Sequence, residues 1–175
     1  MEFYDVVKRR FSVRAFEDKP VEEDKLSRIL NAARLAPSAR NLQECRFVVV
    51  TDKEKIRQMA DAAFGQKFVG QAPVVIACCS VADRGTMKCG HTRYTIDAGI
   101  ALEHIALAAA AEGLGGCWIG SFKPENVRRI LQIPDSVEVV ELYPLGYAAP
   151  NEKPGRGRKP LEEVACFNTW TLKQE

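Results

Sequence analysis

The chain has 175 residues, of which 46% are hydrophobic and 27% charged, with a formal net charge of +2 and a sequence pI near 8.2. This length and composition predict a single globular domain over residues 1–175, large enough to bury a substantial core. So small a net charge argues against a nucleic-acid-binding surface, and no apolar run reaches the roughly 18 residues that a membrane span needs.

Hydrophobic spacing predicts an irregular mixture of helices and strands in the first half of the chain. Proline 20 precedes a run of acidic residues that suits a helix N-terminus, and Pro37 is expected to end that helix. The predicted elements are a short helix at 3–10, a helix at 21–36, a polar loop at 37–44, a strand at 46–51, a helix at 53–64 and an apolar, central strand at 73–80.

The second half begins with a long helix that is apolar on almost every side. It is predicted over 95–115, and Gly113 and Gly115 mark its end. A helix so poor in polar residues has to be covered, either inside its own domain or by a second subunit. We favour the second possibility, an interface with another copy of the chain. After it we expect a turn at 116–122, a helix from Pro124 to 133 and a strand at 137–147. Because strands and helices do not alternate regularly, the pattern favours an α+β fold over a doubly wound sheet.

The cysteines and histidines show no metal-binding pattern. Six cysteines are scattered through the chain, several of them in apolar runs, which favours buried thiols in a reducing cytoplasm. The charged first ten residues, "MEFYDVVKRR", do not resemble a secretory signal. Cys89 and His91 are separated by one residue, but the chain has no paired C-x-x-C, so we expect no structural metal site. No local signature pairs a cysteine with a histidine, so we also expect no cysteine nucleophile.

Two basic segments lie near opposite ends of the chain. The first, "KRRFSVRAFEDKP" at 8–20, places Arg10, Ser12 and Arg14 on one face if it is extended. The second is "KPGRGRKPLEEV" at 153–164. Two guanidiniums and a hydroxyl on one face are typical receptors for a phosphate or a carboxylate, whereas a solvated charged face is the alternative. The glycines of "GLGGCWIG" at 113–120 match no nucleotide-binding loop, so they indicate either close backbone approach to a bulky group or a packed turn.

Six motifs, in register along most of the chain, resemble the nitroreductase family of FMN-dependent oxidoreductases. They are "KRRFSVRAF", "APSARNLQECRFVVV", "APVVIACCS", "IDAGIALEHIALAAAAEGLGGCWIG", "LYPLGYA" and "GRKPLEEV". The resemblance implies an α+β fold with a central, mostly antiparallel sheet flanked by helices. It also implies an interlocked homodimer with two FMN sites, each built from both chains at the subunit interface.

The resemblance also implies a role for individual residues in binding FMN. Arg10 and Ser12 would hold the phosphate and ribityl chain, Arg14 would lie near the pyrimidine edge of the flavin, and Arg156 and Arg158 would complete the phosphate clamp. Pro37, Ser38, Ala39 and Asn41 would line the partner's flavin. The backbone of Ile119, Gly120 and Ser121 would run beside N5, and Gln66 or Lys67 would reach the flavin edge.

In such a site the flavin carries the chemistry, so no side chain need act as nucleophile or general base. NADH or NADPH would deliver hydride to N5, and Arg14 would stabilise the negative charge that reduction places near N1. A nitroaromatic, a quinone or another flavin would then occupy the same place, which predicts ping-pong kinetics. A non-enzymatic flavin-binding or flavin-delivery protein is the alternative function.

The chain departs from the family pattern in two places. The usual Asn-x-Gln-Pro-Trp becomes Asn41-Leu42-Gln43-Glu44-Cys45, and only a short loop stands between the strand at 73–80 and the long helix. We therefore expect an open acceptor site with broad substrate tolerance, and a packed rather than redox-active thiol at Cys45.

Overall fold

The computed structural model describes residues 2–81, 84–155 and 157–172. Seven helices and four strands occur within these residues. They are α1 (Phe3–Arg9), α2 (Glu23–Arg34), β1 (Cys45–Val50), α3 (Lys53–Ala62), α4 (Lys67–Gln71), β2 (Val74–Ser80), α5 (Arg93–Ala111), β3 (Gly115–Gly116), α6 (Pro124–Leu131), β4 (Glu138–Gly146) and α7 (Leu161–Val164).

The four strands form one sheet in the order β1-β2-β4-β3, and every neighbouring pair is antiparallel. This arrangement confirms the predicted α+β class and the antiparallel sheet. The interior position predicted for the strand at 73–80 is also correct, since β2 lies between β1 and β4 and all seven of its residues are buried. A strand buried on both faces has no need of alternating polar residues, which explains its continuous apolar sequence.

Helices cover both faces of the sheet and create two hydrophobic cores. One core packs α3, α4 and α6 against one face, with Ile56, Met59 and Val127 nearly inaccessible to solvent. The other packs α2 and α5 against the opposite face, around Ile29, Leu102 and Ile105. The apolar stripes recognised in the sequence are therefore the stripes that face the sheet.

Most helix ends follow the local chemistry of their sequences. Asp52 caps α3 by accepting a hydrogen bond from the Lys55 N–H at 2.8 Å, and Pro124 occupies the first turn of α6. The helix α5 stops at Ala111, and Gly113 follows it with a φ of +77°. The short helices α4 and α7 were not predicted, because four or five residues show too little periodicity.

The long helix α5 is only partly covered within a single chain. Its buried side includes Ala98, Leu102 and Ile105, but Ile96 is 40% exposed and Leu107 is half-buried. The near-complete coverage expected from the sequence is therefore not achieved by this chain alone. In the described part of the chain, no helix combines the length and the hydropathy needed to cross a bilayer.

The extended segment after α1 joins the edge of the sheet at β3. Ser12 forms a parallel bridge with Gly116, and the Val13 N–H donates to the Gly116 carbonyl at 3.0 Å. There is no room for side chains at this junction. A Cβ at Gly115 would lie 2.4 Å from Val13 Cγ2, and one at Gly116 would lie 2.3 Å from Tyr143 Cε1. Gly115 and Gly116 of "GLGGCWIG" thus allow the edge strand β3 to pack closely against the segment after α1, rather than forming the packed turn that was one of the two expectations.

We predict that Gly116→Ala lowers the free energy of unfolding by about 2 kcal/mol or more, because the added methyl group overlaps the buried Tyr143 ring and the Pro144 carbonyl. Urea denaturation followed by circular dichroism measures the change. Gly155→Ala is the matched control, since no atom lies within 4 Å of its added Cβ, and its effect should stay within about 0.5 kcal/mol. Equal midpoints for the two variants would contradict the close packing at Gly116.

Candidate functional site

The two basic segments meet on one cavity. Arg10, Ser12 and Arg14 line it from the N-terminal side, and Gly155, Gly157 and Arg158 line it from the C-terminal side, around a volume of about 850 Å³. About 140 residues of sequence separate the two walls. Arg156, the remaining residue assigned to the phosphate clamp, lies outside the described residues. The structure therefore brings together Arg10, Ser12, Arg14 and Arg158, as the sequence predicts.

The geometry of this cavity follows from its local backbone. Arg10 is the C-terminal cap of α1, and its N–H donates to the Val6 carbonyl at 3.0 Å. Beyond it the chain is extended, which allows Arg10, Ser12 and Arg14 to project toward the same cavity. The Arg14 N–H donates to Glu152 Oε1 at 2.5 Å, so this contact also ties the N-terminal wall to the chain that leads into the second basic segment.

The chemistry of the cavity suits an anion with several oxygens. Guanidinium groups form charge-assisted and often bidentate hydrogen bonds with phosphate. Ser12 adds a hydroxyl, and a Cβ at Gly155 or Gly157 would meet no atom within 4 Å, so the glycine backbone leaves open space. Lys8 also lines the cavity, although the sequence analysis did not place it in the site. Its position next to Arg9 and Arg10 in the sequence is the feature that could have placed Lys8 in the site.

The segment Ile119–Ser121 is held between β4 and the loop before α4. The Ile119 N–H donates to the Leu142 carbonyl at 2.9 Å. Gln66 Nε2 donates to the Ser121 carbonyl at 3.0 Å and to the Ala63 carbonyl at 3.0 Å. Gln66, which was expected to reach the flavin edge, thus lies beside Ser121, and its amide binds protein carbonyls. Lys67, the alternative, is exposed at the start of α4.

Gly120 and Ser121 are exposed, and one carboxyl lies directly behind them. A Cβ at Gly120 would lie 3.4 Å from Glu141 Oε1 and 3.5 Å from its Oε2. The sequence analysis did not single out Glu141. An acidic residue inside the apolar strand "VEVVELYPLGY" was the indication that could have identified it.

The loop at 37–41 occupies a separate region of the chain. Pro37 and Ser38 line a second cavity of about 400 Å³, together with Cys45 and Asp97. The Ala39 N–H donates to Asp97 Oδ1 at 3.0 Å, and Asn41 has a φ of +56° in a single 3₁₀ turn. Among the residues that the structure describes, none lines both this cavity and the basic cavity. Within one chain, therefore, the structure does not bring Pro37, Ser38, Ala39 and Asn41 together with the arginines.

Cys45 lines this second cavity, and Cys78 and Cys79 lie on the neighbouring strand β2. A side-chain hydrogen bond from Cys78 lowers the pKa of Cys45, which is half-buried. The same hydrogen bond and burial raise the pKa of Cys78 far above its usual range, while burial alone raises the pKa of Cys79 to about 11. Cys45 is therefore the more readily ionised thiol of the three. Among the described side chains, no cluster of His, Cys, Asp and Glu is suited to a metal ion.

Comparison with known proteins identifies the family to which this arrangement belongs. The family model described as "Nitroreductase family" matches residues 7–68 and 62–147. The chain belongs to the nitroreductase family. Its N-terminal basic segment, the loop at 37–41 and the Ile119–Ser121 segment all fall within the matched residues, whereas the second basic segment lies after them.

Individual members of the family are similar over most of the chain. An NADH dehydrogenase of Thermus thermophilus is 35% identical over an alignment of 190 positions. The alignment covers 91% of this chain and 92% of that protein. An FMN reductase [NAD(P)H] of Bacillus subtilis is 28% identical, with coverage of 94% and 72%. The structure of an FMN-dependent nitroreductase from Clostridium difficile R20291 superposes with a TM-score of 0.82 at 30% identity, covering 94% of this chain and 98% of that one.

Proposed function

We propose that this nitroreductase-family chain binds FMN and passes hydride from NADH or NADPH to an oxidised small-molecule acceptor, such as a nitroaromatic, a quinone or a flavin. The chain is an oxidoreductase of the class whose relatives are described as FMN reductase [NAD(P)H] and FMN-dependent nitroreductase. The observation that carries the proposal is the convergence of Arg10, Ser12, Arg14 and Arg158 on one cavity.

The residues of the cavity fit the phosphate of FMN. Phosphate is a dianion near neutral pH, and the cavity offers guanidinium groups from both walls together with a hydroxyl. The flavin, when bound, supplies the hydride acceptor and donor that no side chain provides. The contribution of the chain is to hold the phosphate between Arg10 and Arg158, and to present the exposed backbone of Gly120 and Ser121 without a bulky side chain in the way.

Arg14 has an electrostatic role in this proposal. It lies on the same cavity as Arg10 but on the far side of Ser12, and its side chain is exposed. A cation at this end of the cavity would stabilise negative charge that develops on a bound ring system during reduction. We therefore assign phosphate binding to Arg10, Ser12 and Arg158, and charge stabilisation to Arg14.

A homodimer completes the proposed site. The less covered side of α5 carries the exposed Ile96 and the half-buried Ile100, and a Cβ built at Gly99 on the same helix would lie 3.8 Å from Trp118 Cη2. An apolar helix face of this kind supports burial against a second copy. In such an interlocked dimer, Pro37, Ser38, Ala39 and Asn41 of one protomer would line the flavin site of the other.

We predict that Arg158→Ala raises the Kd for FMN by about 10- to 150-fold, as expected for the loss of charge-assisted hydrogen bonds, and that Arg10→Ala has a similar effect. Riboflavin, which lacks the phosphate, should bind Arg158→Ala and the wild type equally. Titration of flavin fluorescence measures both affinities. Arg129→Ala, an exposed arginine on α6, is the matched control. An equal loss of riboflavin and FMN affinity would contradict a phosphate clamp.

The proposed reaction predicts that NADH or NADPH bleaches the visible absorbance of the FMN-loaded protein under anaerobic conditions, and that a nitroaromatic or a quinone restores it. Stopped-flow spectroscopy measures both half-reactions. Because both substrates use one site, plots of reciprocal rate against reciprocal nicotinamide concentration should be parallel at several acceptor concentrations. A yellow protein that neither nucleotide reduces would indicate the alternative, a flavin-binding protein without enzymatic activity, and intersecting lines would contradict the shared site.

The homodimer predicts that the double variant Ile96→Glu/Ile100→Glu is a folded monomer with greatly weakened FMN binding, because two carboxylates on the open face of α5 cannot be buried without partners. Sedimentation velocity measures the mass, and circular dichroism confirms the fold. Arg129→Glu on α6 serves as the control for an added negative charge and should remain dimeric. A wild-type protein that sediments as a monomer would refute the shared site.

A further inference from the structure

Glu141 places a carboxyl group immediately behind the Ile119–Ser121 segment. It lies on β4, opposite Cys78 of β2, and the next residue, Leu142, bridges to Ile119. Both carboxyl oxygens approach Gly120, since they would lie 3.4 and 3.5 Å from a Cβ built there.

The carboxyl is poorly placed for carrying a negative charge. Its Oε2 is buried and has no hydrogen-bond partner among the residues that the structure describes. An ionised carboxylate needs several hydrogen bonds or a nearby cation to offset its lost hydration, whereas a protonated carboxyl does not. In agreement with this, burial raises the pKa of Glu141.

The groups that face Glu141 do not supply the missing positive charge. Cys78, directly across on β2, is a buried thiol with its own pKa strongly raised. Beyond Cys78 lies Cys45 on β1, where the charged groups that act on the thiol are Asp97, Arg46 and Glu44. Arg93, at the start of α5, is paired with Glu44 at 3.0 Å. Ile119, Gly120 and Ser121 have no titratable side chain.

We propose that Glu141 is a positioning residue for the electrostatics of the flavin site, and that it takes up a proton when a flavin bound beside Gly120 is reduced. The inference rests on the proposed function. Reduction by hydride brings two electrons and one proton to the site, and so adds one negative charge to the bound ring system. An ionised Glu141 would be repelled by this charge, so its carboxylate accepts one proton from water and becomes neutral. Nothing else is oxidised or reduced in this step.

This coupling has a consequence that a purely structural role for Glu141 does not have. Where Glu141 is ionised before reduction and protonated after it, each two-electron reduction consumes two protons rather than one. The midpoint potential of the bound flavin then falls with rising pH up to about twofold more steeply than it would for a single proton. A structural carboxyl would alter the stability of the protein but leave this slope unchanged.

The stability effect has a defined sign. Because the pKa of Glu141 is higher in the folded chain than in the unfolded chain, the folded state binds more protons as the pH rises above the unfolded pKa. The contribution of Glu141 to stability is therefore greatest at low pH and falls as the pH rises through the folded pKa. Replacement by glutamine should remove this dependence whether or not the flavin is coupled to it.

The test compares the FMN-loaded wild type with Glu141→Gln by spectroelectrochemical titration from mildly acidic to mildly alkaline pH. We expect the steep slope in the wild type, and a slope about half as large in Glu141→Gln. Glu138→Gln is the matched control on the same strand, since Glu138 is paired with Arg84, and it should retain the wild-type slope. Equal slopes in the wild type and Glu141→Gln would overturn the role of Glu141 even if both proteins are yellow and active.

A second measurement does not depend on a variant that folds. The ¹³C resonance of the Glu141 carboxyl in labelled wild-type protein, titrated with oxidised and with reduced FMN bound, should show a higher pKa in the reduced state. The same pKa in both states would overturn the proposal. A wild-type protein that retains no flavin absorbance after incubation with excess FMN and removal of the unbound FMN by gel filtration would instead overturn the proposed function itself.

Discussion

The close approach of the segment after α1 to the glycine edge of the sheet is the constraint on which the site depends. The bridge between Ser12 and Gly116 is possible only because no Cβ stands between Val13, Gly115 and the Tyr143 ring. It fixes an extended conformation on either side of Ser12. Arg10, Ser12 and Arg14 consequently project toward the same cavity, whereas in a helix Ser12 would face away from the two arginines.

The same junction determines which other parts of the chain can take part. Phe16 bridges Ala148, and the Arg14 N–H binds Glu152, so the chain leaving β4 runs alongside the N-terminal segment. Arg158 follows a few residues later and closes the cavity. The net charge of the chain is only +2, so the local concentration of positive charge results from these two contacts of the N-terminal segment and not from an overall basic composition.

The cavity, the Ile119–Ser121 segment and the loop at 37–41 are supported by different elements of one fold. β4 carries Leu142, which holds Ile119, and also Glu141, which lies against Gly120. α5 carries Asp97, which holds the Ala39 N–H, and presents an uncovered apolar side. In the dimer that we propose, the second copy would cover that side of α5 and bring the loop at 37–41 to the flavin. The same helix would then contribute both to the stability of the dimer and to the assembly of the flavin site.

The sequence by itself determined the order and type of the main elements. The apolar run that became β2 predicted an interior strand, and the stripes of α2 and α3 predicted the faces that pack, because burial imposes a period of two or 3.6 residues that is visible without coordinates. The resemblance of six motifs was also sufficient to identify the family and to nominate Arg10, Ser12, Arg14 and Arg158.

Only the tertiary structure decided how these pieces meet. It placed Arg158 on the same cavity as Arg10, directed the Gln66 amide to the Ser121 carbonyl, and left one side of α5 open. It also revealed the carboxyl of Glu141 behind Gly120, which has no counterpart in any local motif. Local sequence encodes propensity and periodicity, but a contact between residues far apart depends on strand register and on the space that neighbouring side chains leave, and these exist only once the whole sheet has formed.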